Sequence, residues 1–403
     1  MNKYITFVII IIIFLLSSLL LIQLLNQRKE IKNHSVLEKE ENVHKQPQRE
    51  GFIYSNGSDE SKTMADQIVK QIKNQTSPNP LTNQNNNIAL NQLSIFSSWN
   101  TSCSGNFVST DQITNVLASG CRMVHFTISN FNNQPMIFGN FTDTSGNSNS
   151  ILLYDALLTC MNNAFNYLIN VNTSSGKQDL NLTNYNDPLI IMLSFKYFTR
   201  EDVINYNLTA STNPEYSKTV PNPTYSKDFF KKCAKIVKDV LNNRLYKNGN
   251  NNYAIPIDKK TIKNQVNQQI LIITDITGLN QDQIDTFQKS DLKLYSNLVS
   301  GLNSNLQMLP FDTSETISNK SSLFNLAVPI NNQNPLRNEF TNFSFKQNCQ
   351  FVPIVFYSSN LTNLYTDIFN NLMQFFQDYG SAFVSFQTID NEILNPNTTP
   401  VII

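Results

Sequence analysis

Residues 95–142 read IFSSWNTSCSGNFVSTDQITNVLASGCRMVHFTISNFNNQPMIFGNFT. The stretch predicts a strand over Leu93–Ser98, a helix over Asp111–Ala118, and strands over Arg122–Ile128 and Pro135–Phe138. Asp111, after Ser109-Thr110, is expected to cap the start of that helix with its carboxylate. A short apolar strand, a helix with apolar residues at three- and four-residue spacing, and a second apolar strand form the repeating unit of a parallel sheet.

Working outward, the same alternation continues to the end of the chain. Further strands are predicted at Leu189–Phe195, Gln269–Asp275, Leu323–Val328, Gln350–Tyr357 and Ala382–Ser385. Helical spacing appears over Ile151–Ile169, Lys227–Leu245 and Asn363–Gln377; in the last, Leu364, Ile368, Leu372 and Phe375 share one face. The strands are continuous apolar runs, as expected where both faces of a sheet are covered. An α/β barrel of about 250 residues with insertions fits the length of this region. Tyr206–Lys227, rich in Asn, Ser, Thr and Pro, reads as an inserted loop.

Composition narrows the function classes. The 403 residues carry 30 basic and 30 acidic side chains, so no cationic excess is available for a nucleic-acid partner. The hydrophobic fraction of 40%, with 27 Phe and 15 Tyr, suffices for a large core. Heavy use of Asn, Ile, Lys, Phe and Tyr reads as an AT-rich coding bias. Three His leave little for a His-based metal site. The five Cys include no C-x-x-C pair; they read as buried thiols, with a Cys103–Cys121 disulfide left open.

Three segments are expected. Residues 1–26 hold the uncharged run Ile5–Leu25, long enough as a helix to cross about 30 Å of hydrocarbon, and read as a retained signal anchor. Lys3 precedes the run while Arg28, Lys29, Lys32 and Lys39 follow it, which by the positive-inside rule puts the C-terminal part on the cytoplasmic side. Sequons such as Asn140-Phe141-Thr142 and Asn360-Leu361-Thr362 would suit a lumenal side but arise by chance in an Asn-rich chain. Residues 27–88 read as a polar, flexible stalk without a core of its own, with a short helical stretch at Met64–Ile72. His34 and His44 fall in it. Residues 89–403 form the barrel domain.

Ser97-Ser98-Trp99-Asn100-Thr101, Gly120-Cys121-Arg122 and Pro135-Met136-Ile137-Phe138-Gly139, in that order, resemble the X region of phosphatidylinositol-specific phospholipase C. Asp187-Pro188-Leu189-Ile190-Ile191 resembles that family's next strand. Asn348–Pro353 and Asp378–Val384 are similar to membrane-anchored phospholipase C-like proteins of large DNA viruses. The resemblance spans most of residues 90–403. It implies a distorted TIM barrel of the phospholipase C-like phosphodiesterase type, a phosphoric diester substrate, a phospholipid headgroup as ligand, and a virion or host-derived membrane as location.

The family's chemistry uses two histidines, one as base or phosphate stabiliser and one as acid, with an Asn and three carboxylates around calcium. In this sequence the first histidine position is Trp99 and the second falls on Gly139, or on Phe138 if the alignment slips by one. The acidic positions become His125, Thr127 and Ser194, and Asn100 alone is kept. The resemblance therefore implies no retained calcium site and degenerate catalytic positions.

Two readings stay open for the remaining groups. His125 is either a relocated general base or a satisfied cleft residue; the second is favoured because it lacks a partner imidazole. Trp99 reads equally as a stacking face for a headgroup and as filler of the vacated volume. Asp275, ending the run ILIITD, either orients a substrate hydroxyl or caps the following turn. Arg122 is expected in a structural ion pair.

Overall fold

In the computed structural model, the described residues are 54–74, 81–82, 84–104, 107–131, 133–138, 150–195, 225–247, 257–258, 260–300, 306–310, 324–329, 348–356 and 373–394. At the centre lies Leu189–Phe195, LIIMLSF, buried along its whole length. Such a strand has no solvent face to mark with polar residues, so it reads as an unbroken apolar run.

Eight parallel strands form a closed circuit. They are β1 (Ser98–Trp99), β2 (Met123–Phe131), β3 (Leu189–Phe195), β4 (Ile270–Asp275), β5 (Leu298–Ser300), β6 (Leu306–Pro310), β7 (Phe324–Val328) and β8 (Ile354–Val355). β2 through β7 pair in sequence order, each parallel to the next. β8 pairs parallel with β1. Single bridges close the ring, Ser97 to Met123 on one side of β1 and Phe351 to Leu326 before β8. Outside the ring, Gln134–Phe138 and Ser150–Leu152 extend the β2 edge as antiparallel strands. Phe383–Ser385 pairs antiparallel with Leu93–Ile95, just ahead of β1. The mixed α/β architecture with parallel strands therefore follows from the pairing itself.

The helices are α1 (Tyr54–Asn74), α2 (Thr110–Ala118), α3 (Leu153–Ala164), α4 (Lys227–Leu241), α5 (Gln281–Gln288), α6 (Gln374–Asp378) and α7 (Phe386–Leu394). α4 shows why these segments are helical: Phe229, Phe230, Cys233, Val237 and Leu241 recur on one buried face, and the Ser226 hydroxyl accepts from the Phe229 amide at its start.

Several expectations are corrected. The helix predicted over Ile151–Ile169 ends at Ala164, because Leu168–Thr173 alternates exposed and buried residues with period two. That segment pairs with Gly176–Asn181 as a hairpin instead. The cap of α2 is Ser109, whose hydroxyl accepts from the Gln112 amide, while Asp111 accepts from Asn172 Nδ2. Part of the expected stalk is integral to the fold: α1 runs through it, and its Met64, Ala65 and Ile68 are buried in the barrel's core cluster. Leu81, Leu90 and Leu93 carry that cluster onward into the barrel.

All five cysteines are free and buried, so Cys103 and Cys121 are not joined. No helix among the described residues is long and apolar enough to cross a membrane. The run Ile5–Leu25, the loop Tyr206–Lys227 up to residue 224, the 363–372 part of the helix expected over Asn363–Gln377, and Gly139 lie outside the described residues.

A buried charged group sits where the strands begin. The Arg122 guanidinium, fully buried before β2, donates to the Ala164 carbonyl at 2.7 Å and to Asn184 Oδ1 at 2.9 Å. The ion pair expected of Arg122 is made by Lys263 instead, which reaches Asp187 at 2.6 Å just ahead of β3. Burial lowers the Arg122 pKa to about 10, with the nearby Asp187 charge opposing the shift. This end of the barrel is held by charge and reads as stability.

Candidate functional site

The opposite, C-terminal ends of the strands gather the residues singled out from sequence. β1 ends on Trp99, with Asn100 next in the chain; β2 supplies His125 and Thr127, β3 supplies Ser194, and β4 supplies Asp275. Register puts Ser194 beside Thr127 on one side and beside Asp275 on the other, and Asp275 beside Ser300 of β5. In-register residues of parallel strands point to the same face, so these side chains converge.

The hydrogen bonds form one directed chain. The backbone amide of Asn100, in the left-handed region at φ 45°, donates to His125 Nδ1 at 3.0 Å. A backbone amide can only donate, so Nδ1 is the acceptor and the neutral ring carries its proton on Nε2. Nε2 lies 2.9 Å from Ser194 Oγ and donates to it. The Ser194 hydroxyl in turn donates to Asp275 Oδ2 at 2.8 Å. Asp275 Oδ1 accepts from the Thr277 amide at 3.0 Å, from the Thr277 hydroxyl at 2.7 Å and from Ser300 Oγ.

The remaining contacts hold the ring in place. The amide of His125 donates to Thr101 Oγ1 at 2.8 Å, and the amide of Thr101 donates back to the His125 carbonyl at 2.9 Å. The Thr127 hydroxyl donates to Asn100 Oδ1 at 2.9 Å. Trp99 covers the imidazole face to face, with ring centroids 3.8 Å apart. Its other neighbours include Cys103, Val108 and Val355.

Electrostatics follow from this enclosure. His125 is completely buried, and desolvation of the imidazolium pushes its pKa down to about 3, with the Asp275 charge pulling the other way. At neutral pH the ring is uncharged, its lone pair is occupied and its proton is given to Ser194. In that state the Nδ1 lone pair and the Nε2 proton are both committed within the protein.

Calcium does not suit the residues present. Positions 127 and 194 carry hydroxyls, and both oxygens of Asp275, the single carboxylate at the site among the described residues, already accept hydrogen bonds. Among the described residues no three His, Cys, Asp or Glu side chains cluster as metal ligands.

Sequence reasoning placed Trp99, Asn100, His125, Thr127, Ser194 and Asp275, and the fold brings all six together. Asp275 caps the following turn through the Thr277 amide, as one of its two readings has it, and also accepts from the Ser194 hydroxyl. Thr101, Thr277 and Ser300 were missed. Thr277 has a local signal, since an Asp two residues before a Thr commonly closes an Asx turn. Ser300 has none, because its role comes only from pairing with β4.

No protein-family profile and no curated protein matches the chain. Solved structures of similar shape include PLC21 of S. officinalis, at 14% identity over 79% of this chain and 40% of that one, with a TM-score of 0.49. PLC21 of L. pealei is similar at 14% identity over 76% and 39%, with a TM-score of 0.48. A calcium-dependent phosphoinositol-specific phospholipase C from Pseudomonas sp. is similar at 9% identity over 56% and 70%, with a TM-score of 0.33. The chain thus spans about two-fifths of the length of each PLC21.

Proposed function

We propose that this chain is a phospholipase C-like barrel without phosphodiesterase chemistry, held at a membrane by Ile5–Leu25 and retained as a structural or headgroup-binding protein. The observation that carries this reading is the state of His125. Both ring nitrogens are engaged inside the protein, on Asn100 and Ser194, and Trp99 occupies the ring face. The motif resemblance supplies the class of ligand, a phosphoester or phospholipid headgroup. The side chains at the site supply no calcium ligand set, so binding is metal-independent in this reading. The viral resemblance of the C-terminal segments favours a virion or host-derived membrane as its location.

The test is an assay of the full chain in mixed micelles with phosphatidylinositol, and separately with bis(p-nitrophenyl) phosphate, with and without calcium. No turnover above buffer is expected in any arm. Turnover that His125→Ala abolishes would overturn the reading.

A second reading, an active diesterase built on His125, Asn100 and Asp275, draws support from their hydrogen-bonded convergence. The order of the chain weighs against it. In an activated-nucleophile arrangement the imidazole stands between the carboxylate and the hydroxyl. Here the hydroxyl of Ser194 stands in the middle, so Asp275 polarises Ser194 and never meets the ring.

A further inference from the structure

α2 turns two chemically different faces to its neighbours. Ile113, Val116 and Leu117 are buried in the barrel core, as an amphipathic helix requires. Gln112 and Asn115, polar groups of the kind such a helix turns to water, are also fully covered, at 0% and 1% exposure. Their cover is α1. Asn115 Nδ2 donates to the Ser61 carbonyl at 2.7 Å, Gln112 Nε2 lies 2.8 Å from Met64 Sδ, and the hydroxyls of Ser61 and Ser109 are 3.1 Å apart.

This interface combines apolar packing, through Met64, Ala65 and Ile68 with Val69 and Ile72 beside them, with unsatisfied polar groups. Gln112 Oε1 and Asn115 Oδ1 are buried with no hydrogen-bond partner. Each loses water when α1 docks and regains it when α1 leaves. On the α1 side, Met64, Ala65 and Ile68 are the buried apolar residues. Asp66 adds a surface clamp to the amide and hydroxyl of Ser174, at 3.2 and 2.6 Å. Interfaces of this polar composition behave as transient ones, and elements with few buried apolar contacts open ahead of the core.

The docked helix also touches the route to the site. Ser61 meets Ser109, and the Ser109 amide donates to the Ser102 carbonyl at 2.8 Å. Ser102 follows Thr101, which exchanges two hydrogen bonds with the backbone of His125. The turn between Trp99 and α2 is therefore braced by α1 at one end and by His125 at the other.

We propose that α1 is a releasable strap. Docked, it holds Thr101–Ser104 and Phe107–Ser109 and keeps Trp99 on His125. Released, it loosens that turn, exposes the polar face of α2 and unseats Trp99. Most helical stability in proteins comes from tertiary packing, which α1 loses on leaving the barrel, so release and fraying of α1 coincide. The idea is independent of whether the barrel is catalytic, since none of its readouts is turnover.

Hydrogen exchange on the intact full chain tests the release. Amides of α1 are expected to exchange at least about a hundredfold faster than those of β3, through an opening that leaves the barrel closed. Equal protection of α1 and β3 would overturn the strap. The coupling is tested with Met64→Asp in the full chain, read by acrylamide quenching of Trp99, the only Trp of the sequence. Quenching is expected to rise about twofold while the cooperative melt is kept, because the brace on the turn is lost. Unchanged quenching sinks the coupling, and loss of the cooperative melt shows α1 to be part of the core and sinks the strap. Asp66→Ala, which alters only an exposed clamp, should give the same changes at smaller amplitude; none at all in either readout counts against the proposal.

Discussion

The indole of Trp99 and the imidazole of His125 lie face to face, with ring centroids 3.8 Å apart and planes 6° from parallel. The stack closes one side of the imidazole while Asn100 and Ser194 occupy its two nitrogens. A group enclosed in this way is strongly constrained as a structural element. The module without turnover proposed above rests on that relationship.

Stability should carry the signature of a buried neutral histidine. The folded-state pKa of His125 is about 3 against an ordinary 6.5. The unfolded chain therefore binds a proton first as pH falls, so this contribution is complete above 6.5 and is lost progressively between 6.5 and 3. The slope is at most about 1.4 kcal/mol per pH unit. Urea unfolding at pH 6.5 and pH 5 should show the wild type losing about 1.6 kcal/mol more than His125→Gln. Parallel losses in the two proteins would mean that the folded ring protonates normally.

Asp275 is the shared acceptor for Ser194, Thr277 and Ser300. Asp275→Ala leaves three hydroxyls and an amide without their partner at a buried position, and should cost about 2–4 kcal/mol. Asp275→Asn keeps one acceptor oxygen and should cost roughly half as much. Urea midpoints decide, and a loss below about 1 kcal/mol for the alanine variant would show that water replaces the carboxylate readily.

At the other end of the barrel, Lys263→Met strands the Asp187 carboxylate in a dry environment. The expected loss is about 3–5 kcal/mol, and adding Asp187→Asn should restore at least half of it. Thermal melts of the single and double variants measure this. Additive losses would mean that the 2.6 Å ion pair contributes little beyond the separate side chains.

The thiols should be silent in the native state. Burial raises Cys103, Cys121 and Cys349 to about 12 and pushes Cys160 and Cys233 up as well. Ellman's reagent at pH 8 should find none reactive before denaturation and all five after it. A fast-reacting thiol in the folded protein would contradict the burial of that residue.

The strand framework was legible where burial is complete. LIIMLSF and ILIITD announce β3 and β4 because a strand covered on both faces contains little else than apolar residues. β5 and β6 were not legible: LVS and LQMLP are too short, or too mixed, to stand out from their polar surroundings. α1 was underestimated because its buried face is narrow and set among charged residues, so the segment reads as solvated until α2 is seen beside it. The helix expected to end at Ile169 overruns the first two residues of the hairpin Leu168–Asn181, because apolar residues at period two also satisfy part of a helical pattern over a short window.

The sequence by itself determined the cast of the site. Of the three histidines, His34 and His44 lie outside the described residues, leaving His125 the one imidazole from residue 54 onward. Asn100 is kept, while hydroxyls, an indole and Gly139 or Phe138 stand at the other catalytic and ligand positions implied by the resemblance. Composition and position fix those facts whatever the fold. The tertiary structure decided what His125 is. Its proton sits on Nε2 because the amide of Asn100 reaches Nδ1, and its charge is suppressed because Trp99 and the barrel exclude water. Its hydroxyl partner lies 69 residues away on β3, and that hydroxyl's carboxylate a further 81 residues on, at the end of β4. Protonation state and lone-pair occupancy are properties of surroundings assembled from distant strands, and local sequence holds no record of them.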